Sequence, residues 1–395
     1  MAAGLSAAGA QAWAIDAEDV LIYSVGSLQV KPRVAVSESY DDNIFLSPSS
    51  PTPGFRSVES DFLTVLSPGM TLQLGKRGSN HLIFDYGLDQ TLYADHSSED
   101  HRDHNLSLEA KITSGRVTLD GRTGVLFLSG VLSGPYNQPG QRVDRTAYAN
   151  NYRVEYALSD KTSTYAVGTY NATDYKTGIS LYDDNEFMGT GGFSYKVTQK
   201  TSLIGELYYG QSAISPNEGS FLAPGPYSFV YGGFVGASGD FTKRLKGNVK
   251  VGYEVREFGQ NSPGSQSPVV EASLIDSLSS RTEVSFTYSR RSEVSVQAAS
   301  QAYTADSLSA KLNQLLTADG KLAANIGGSF VNSDYADTGS YALRHDVEIR
   351  ATVSLVYRFQ QWLLAQLSYE FQKFNSNQYY DYTDNRVTFR VSVGY

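Results

Sequence analysis

Three of the five histidines crowd into one stretch, Asp95-His96-Ser97-Ser98-Glu99-Asp100-His101-Arg102-Asp103-His104. Imidazole nitrogens beside carboxylates are ligands for a divalent metal. No helix sets their spacing, however, and a polar loop has the same composition. Acidic groups cluster at Asp41-Asp42, Asp183-Asp184-Asn185-Glu186, Asp334 with Asp337, and Asp381 with Asp384. Such oxygens suit Ca²⁺, or divalent bridges to lipopolysaccharide, but solvated loops account for them as well. Nucleophilic catalysis needs a base held by a third group, and nothing narrows the many Ser and Asp to such a set. The reading is of no enzyme, no metal site and no cofactor. Cysteine is absent, which excludes thiolate sites and a disulfide framework.

The charges that do follow a rule recur at alternate positions: Lys31 and Arg33; Asp85 and Asp89; Arg116, Asp120 and Arg122; Arg153 and Glu155; Lys246, Lys250, Glu254 and Arg256; Arg344, Asp346, Glu348 and Arg350; Arg386 and Arg390. Between them stand apolar residues such as Val34 and Val36, Leu82 and Phe84, Val154 and Tyr156, Val249 and Val251, Val387 and Phe389. Period-two alternation makes strands with one apolar and one charged face. In a soluble edge strand that apolar face is an aggregation hazard; in a closed barrel with lipid outside and water inside it is required. A charge facing lipid at the midplane costs about 2–4 kcal/mol, so the charged faces should line the lumen. There they should serve as pore lining and, through opposite charges on neighbouring strands, as bracing.

The strands come in pairs joined by short turns such as Gly75-Lys76-Arg77-Gly78-Ser79 and Thr113-Ser114-Gly115. Longer Gly, Pro, Asp, Asn and Ser-rich loops separate the pairs, among them 95–102, 129–144, 173–185, 211–226 and 373–384. Short turns on one side and long loops on the other are the outer-membrane pattern, periplasmic and extracellular respectively. The fold expected is an all-β, antiparallel, up-and-down transmembrane barrel of about 18 strands over residues 28–395. Ser307–Leu316 also scores as a short helix and Ser163–Tyr170 is weak, which leaves roughly 16 strands open. Pro32 should make the first strand irregular. A wall this wide cannot be filled by its own side chains.

Composition agrees with a barrel. Tyr (28) outnumbers Phe (18) and Trp (2), which suits many rings at water–apolar boundaries. The net charge of −9 argues against a nucleic-acid partner. A mean hydropathy of −0.30 does not oppose a barrel, because only alternate residues meet lipid. Residues 1–14 end in Ala12-Trp13-Ala14 and read as the remnant of a secretory signal peptide, though no cation precedes the apolar run; residues 15–27 read as a periplasmic lead-in. At the other end Phe389, Val391, Val393 and Tyr395 resemble the C-terminal signal that bacterial barrel assembly machinery recognises. The last strand should close against Leu28–Ser37. That would gather Lys31, Arg33, Arg386 and Arg390 along one seam, needing counter-charges from loops or leaving a positive stripe.

Tyr40-Asp41-Asp42-Asn43-Ile44-Phe45 is echoed by Tyr182-Asp183-Asp184-Asn185-Glu186-Phe187, and Asp-Asp-Asn is turn chemistry. The first copy, the strand before it, the Ser/Pro loop after it and Asp61–Met70 resemble the opening of the Putative beta-barrel porin 2 family, most closely over Gln29–Leu74. The resemblance implies a Gram-negative outer-membrane barrel, several such proteins being associated with exopolysaccharide production or export, and it supplies no catalytic residues. The function expected is a conduit or assembly component for exopolysaccharide. A general diffusion porin and a non-conducting anchor or receptor scaffold are the alternatives. The partners expected are outer-membrane lipid, lipopolysaccharide, the assembly machinery, polysaccharide and periplasmic export proteins.

Overall fold

The computed structural model describes residues 22–50, 56–133, 142–176, 181–216, 225, 227–259, 264–297, 301–336, 343–378 and 381–394. The signal-peptide remnant, most of the lead-in, Asp337 and Tyr395 lie outside them.

A short strand β1 (Tyr23–Val25) precedes β2 (Leu28–Asp41), β3 (Asp61–Gly75), β4 (His81–Tyr93), β5 (His101–Ser114) and β6 (Val117–Val131). Then come β7 (Arg142–Ala157), β8 (Thr162–Tyr175), β9 (Tyr182–Lys196), β10 (Thr201–Pro216), β11 (Ser228–Asp240) and β12 (Leu245–Phe258). The chain ends with β13 (Ser265–Ser279), β14 (Thr282–Val294), β15 (Ala302–Leu315), β16 (Leu322–Tyr335), β17 (Arg344–Gln360), β18 (Leu363–Ser376) and β19 (Tyr382–Gly394). Each of β2 to β19 pairs antiparallel with its sequence neighbours, and β19 pairs with β2, closing an 18-strand barrel. Closure leaves none of β2 to β19 at a sheet edge, so each of them has ladder partners on both sides.

The helical alternative at Ser307–Leu316 is excluded. β15 is hydrogen-bonded on both sides, Leu308 facing Tyr288 on β14 and Phe330 on β16. β8 is likewise a full strand, so the barrel has 18 strands rather than 16. Pro32 does not disturb β2, which keeps register with β3 through Pro32 opposite Met70. The β19 ladder stops at Gly394 opposite Arg33, so Pro32 lies just beyond its end.

Strands also run further into the long-loop side than composition suggests: β8 reaches Tyr175, β10 reaches Pro216, and β18 and β19 leave only 377–381 between them. Asn, Asp and Ser are tolerated there because both neighbours still supply hydrogen bonds. The turn between β3 and β4 needs glycine twice: Gly75 and Gly78 have φ of +81° and +89°, a region that other residues rarely enter.

Burial is inverted relative to a soluble protein. Leu207 is 75% exposed and Val235 65%, whereas Arg256 is 2% exposed and Asp346 2%. In a wall one sheet thick, a buried side chain has cover only on the inside. The enclosed region sits at the long-loop end, where Asp41, Asp61, Val143, Tyr175, Tyr182, Arg256, Arg344, Phe374 and Tyr382 are all buried.

Candidate functional site

The inward face of β7 to β14 carries a continuous polar belt. Arg153 on β7 bonds Glu155 (Nη2 to Oε2, 2.9 Å), and its guanidinium lies 3.7 Å from the centre of the Tyr165 ring on β8. Tyr165 donates to Glu206 on β10 (2.8 Å). Lys250 on β12 reaches Glu206 (3.0 Å) and Glu271 on β13 (2.5 Å). Glu271 also pairs with Arg291 on β14, whose guanidinium lies 5.9 Å from the Tyr208 ring. Tyr208 in turn donates to Glu254 on β12 (2.9 Å). The belt crosses strands because intervening positions are glycine. The Tyr165 ring lies where a Cβ on Gly192 of β9 would stand.

Deeper toward the long loops, Arg256 is enclosed by Ser212, Ser228, Ser292 and Glu186. On β17, Arg344 pairs with Asp346 (2.6 Å) and Arg350 with Glu348 (2.6 Å). Ion pairs on an open surface contribute about 0–1 kcal/mol. Enclosed ones hold their geometry more firmly, since breaking one leaves a charge without water.

The closure seam is not a positive stripe, nor do loops neutralise it. Arg33 crosses β3 to a two-pronged pair with Asp85 on β4 (2.8 Å for each nitrogen), passing over Gly69, where a Cβ would lie 2.8 Å from its Cζ. Arg386 is held by Asp41 on β2, and Lys31 donates to Gln73 (3.1 Å). Arg390 bonds Ser392 (3.3 Å) and makes no ion pair among the described residues. Asp120 stands in register with Lys111 and Arg153, and Arg122 with Glu109. Arg116 bonds the Leu158 carbonyl (3.5 Å). Asp89 and Lys246 have no ion pair among the described residues.

Described residues from the segments after β2, β6, β8 and β14 meet over the barrel mouth. After β2, Leu46 packs on Phe374 and Tyr382 of the closing strands and on Val131 of β6. After β6, Leu132 joins Val143, Tyr175, Leu181 and Val296, the last from the far side after β14. Arg350 on β17 reaches the Ser133 hydroxyl (2.8 Å). The Tyr182 amide donates to the Val296 carbonyl (2.9 Å). Burying such apolar side chains stabilises by roughly 1.5–3 kcal/mol each, enough to hold these segments inward.

The histidines do not converge. His101 bonds the Glu99 carbonyl (2.8 Å), and His104 bonds the Tyr86 hydroxyl (3.0 Å). His96, in the loop after β4, sits between Asp61 (2.8 Å) and Glu59 (2.7 Å). The bond to Asp61, then that to Glu59, raises its pKa above the ordinary 6.5. A raised folded value means that this anchor is at full strength below pH 6.5 and weakens as pH rises through the folded pKa. An NMR titration should place the His96 midpoint above 6.5, and a midpoint at or below it contradicts the geometry.

Several belt residues escape the alternation rule. Glu206 lies between Ile204 and Tyr208 on its inward face and Glu271 between Val269 and Ser273, while Arg291 and Glu186 stand beside Glu293 and Asp184 at the loop ends of their strands. A lone carboxylate among uncharged neighbours makes no stripe; the pairing of Lys250 with Glu271 in the β12–β13 ladder and its reach to Glu206 on β10 reveal two of them.

Residues 228–395 match the model of the family described as Putative beta-barrel porin 2; the Gln29–Leu74 stretch that resembles the family's opening lies outside that match. No curated protein matches the chain. Among solved structures, Pseudomonas aeruginosa OccK3 is 12% identical over 92% of this chain and 96% of its own, with a TM-score of 0.47. Acinetobacter baumannii OccAB4 is 10% identical over 93% and 98%, with a TM-score of 0.44. The ferric citrate transporter FecA is 8% identical over 92% and 78%, with a TM-score of 0.45.

Proposed function

We propose that this porin-like barrel resides in the outer membrane of a Gram-negative-type bacterium and is a mouth-capped, non-catalytic conduit for a polar polymer, an extracellular polysaccharide being the cargo of best chemical fit. The observation that carries the reading is the combination of a mixed-charge, tyrosine-bearing belt with long loops packed inward above it. Sugar hydroxyls donate to carboxylates such as Glu206 and accept from cations such as Lys250, and pyranose faces stack on rings such as Tyr165. A general diffusion porin has no use for apolar clusters drawn together from distant loops across its entrance. The C-terminal alternation ending in Phe389, Val391 and Val393 fits recognition by the assembly machinery. Periplasmic export proteins would deliver the polymer at the short-turn end.

Conductance in planar bilayers tests this. The full chain should conduct weakly. Phe45→Asp with Leu46→Asp, which removes the apolar hold of the first loop, should raise conductance several-fold, and acidic or neutral polysaccharide added on the short-turn side should then block it. Large conductance of the unaltered chain favours a diffusion porin. No conductance in either form favours a scaffold.

A further inference from the structure

The seam between first and last strand ends at the long-loop side in an unusual knot of carboxylates. β2 finishes at Asp41, which faces Arg386 of β19. The next residue, Asp42, clasps Asn385: its amide donates to the Asn385 carbonyl (3.1 Å), and its carboxylate accepts from the Asn385 amide (2.7 Å) and side chain (2.8 Å). Asn43 then reaches the Thr383 carbonyl (2.9 Å). These bonds bring Asp384 against both aspartates, so that one oxygen from each of Asp41, Asp42 and Asp384 lies within 4.8 Å of the others.

Asp384 is only 7% exposed, and its buried Oδ1 has no hydrogen-bond partner. Three carboxylates meet one guanidinium, that of Arg386, which is engaged with Asp41. Glu370 lies opposite Arg386 in the β18 ladder and adds no positive charge. With all three ionised, the knot carries two more negative than positive charges among the described residues, and the buried side chain that completes it, Asp384, keeps one oxygen without a hydrogen-bond partner. Oxygens bound to one Ca²⁺ at about 2.3–2.6 Å lie no more than ~5.2 Å apart, a spread that these three satisfy. Ca²⁺ accepts irregular sets of carboxylates and carbonyls, whereas Mg²⁺ demands a near-ideal octahedron.

We propose that Asp41, Asp42 and Asp384 form a Ca²⁺ site that clamps β2 to β19 where the barrel closes. The clamp ties the first long loop, and with it the Leu46 contact over the mouth, to the closing strand. A proton shared between Asp384 and Asp41 is the rival account, and the two are separable.

The test uses the full chain folded in lipopolysaccharide-free detergent. Equilibrium dialysis should find one Ca²⁺ per chain with a dissociation constant in the range of about 10⁻⁴–10⁻³ M, that of extracellular modules. The temperature of heat-induced unfolding should rise by several degrees from EDTA to about 5 mM CaCl₂. D384N should unfold at the same temperature in both media, because its amide mimics the protonated acid and donates no charge. D42N, which keeps one of the two side-chain bonds to Asn385 and removes one negative charge, should weaken binding at least about tenfold. An unchanged melting temperature of the unaltered chain on adding Ca²⁺ overturns the proposal, as does a full Ca²⁺ response in D384N. If D384N does not fold, undiminished Ca²⁺ binding by D42N overturns it equally.

Discussion

Arg256→Ala should destabilise the folded barrel by about 3–5 kcal/mol, the range for removing one partner of a buried ion pair. The guanidinium donates to Ser212 (3.1 Å), Ser228 (3.0 Å), the Ser292 hydroxyl (3.2 Å) and the Ser292 carbonyl (3.0 Å), and lies 3.4 Å from Glu186. It is 2% exposed, so water cannot replace it. Among the described residues, truncation leaves Glu186 with the Ser212 hydroxyl as its hydrogen-bond donor, beside the apolar cluster of Ile214, Phe258 and Val294. Arg390→Ala is the internal control. Among the described residues that side chain bonds only Ser392, and its loss should cost less than about 1 kcal/mol. Arg256→Met combined with Glu186→Gln should recover most of the loss, because replacing a whole buried pair is often near neutral. Urea unfolding of the refolded protein in detergent measures all three. Equal midpoints for the Arg256 and Arg390 variants would show that the buried network carries no stability.

The contrast between these two arginines marks what the sequence can disclose. Both occupy inward positions, and alternation places both there, because a two-residue period is a local property. Arg256 differs only in its partners, which come from β9, β10, β11 and β14. Glu186 lies 70 positions earlier in the chain, and only closure of the sheet brings the two together. The belt follows the same logic: Tyr165 reaches Glu206 because Gly192 between them has no side chain. The aspartates of the seam read as solvated loop, since Asp, Asn and Ser form turns; β19 instead starts at Tyr382 and buries Asp384. One hint of the capped mouth was local. Ile44-Phe45-Leu46 is an apolar run inside a Ser/Pro-rich loop, and such a run needs something to pack against. What it packs against, Leu63 and Tyr93 under Ile44 and Phe45, and Phe374 and Tyr382 under Leu46, could not be read from the run itself.

Val249→Arg should lower the amount of folded, heat-modifiable protein in the outer-membrane fraction several-fold, while Lys250→Ala should leave it close to normal. The two residues are adjacent on β12 and face opposite ways. Val249 stands in register with Ala237 and Ala272, and its same-face neighbour Val251 is 50% exposed on the apolar exterior. An arginine there meets hydrocarbon and costs about 2–4 kcal/mol near the midplane. The small alanines beside it offer no carboxylate to pair with. Lys250 points inward, and its removal deprives Glu206 and Glu271 of one cation each. Glu206 keeps the Tyr165 hydroxyl and Glu271 keeps Arg291, so the loss is about 1–2 kcal/mol. Each carboxylate therefore keeps one hydrogen-bonding partner. Equal levels of the two variants would mean that the faces are reversed or that this part of β12 lies outside the bilayer. A deficit confined to Lys250→Ala would make the belt, rather than the lipid contact, the determinant of folding.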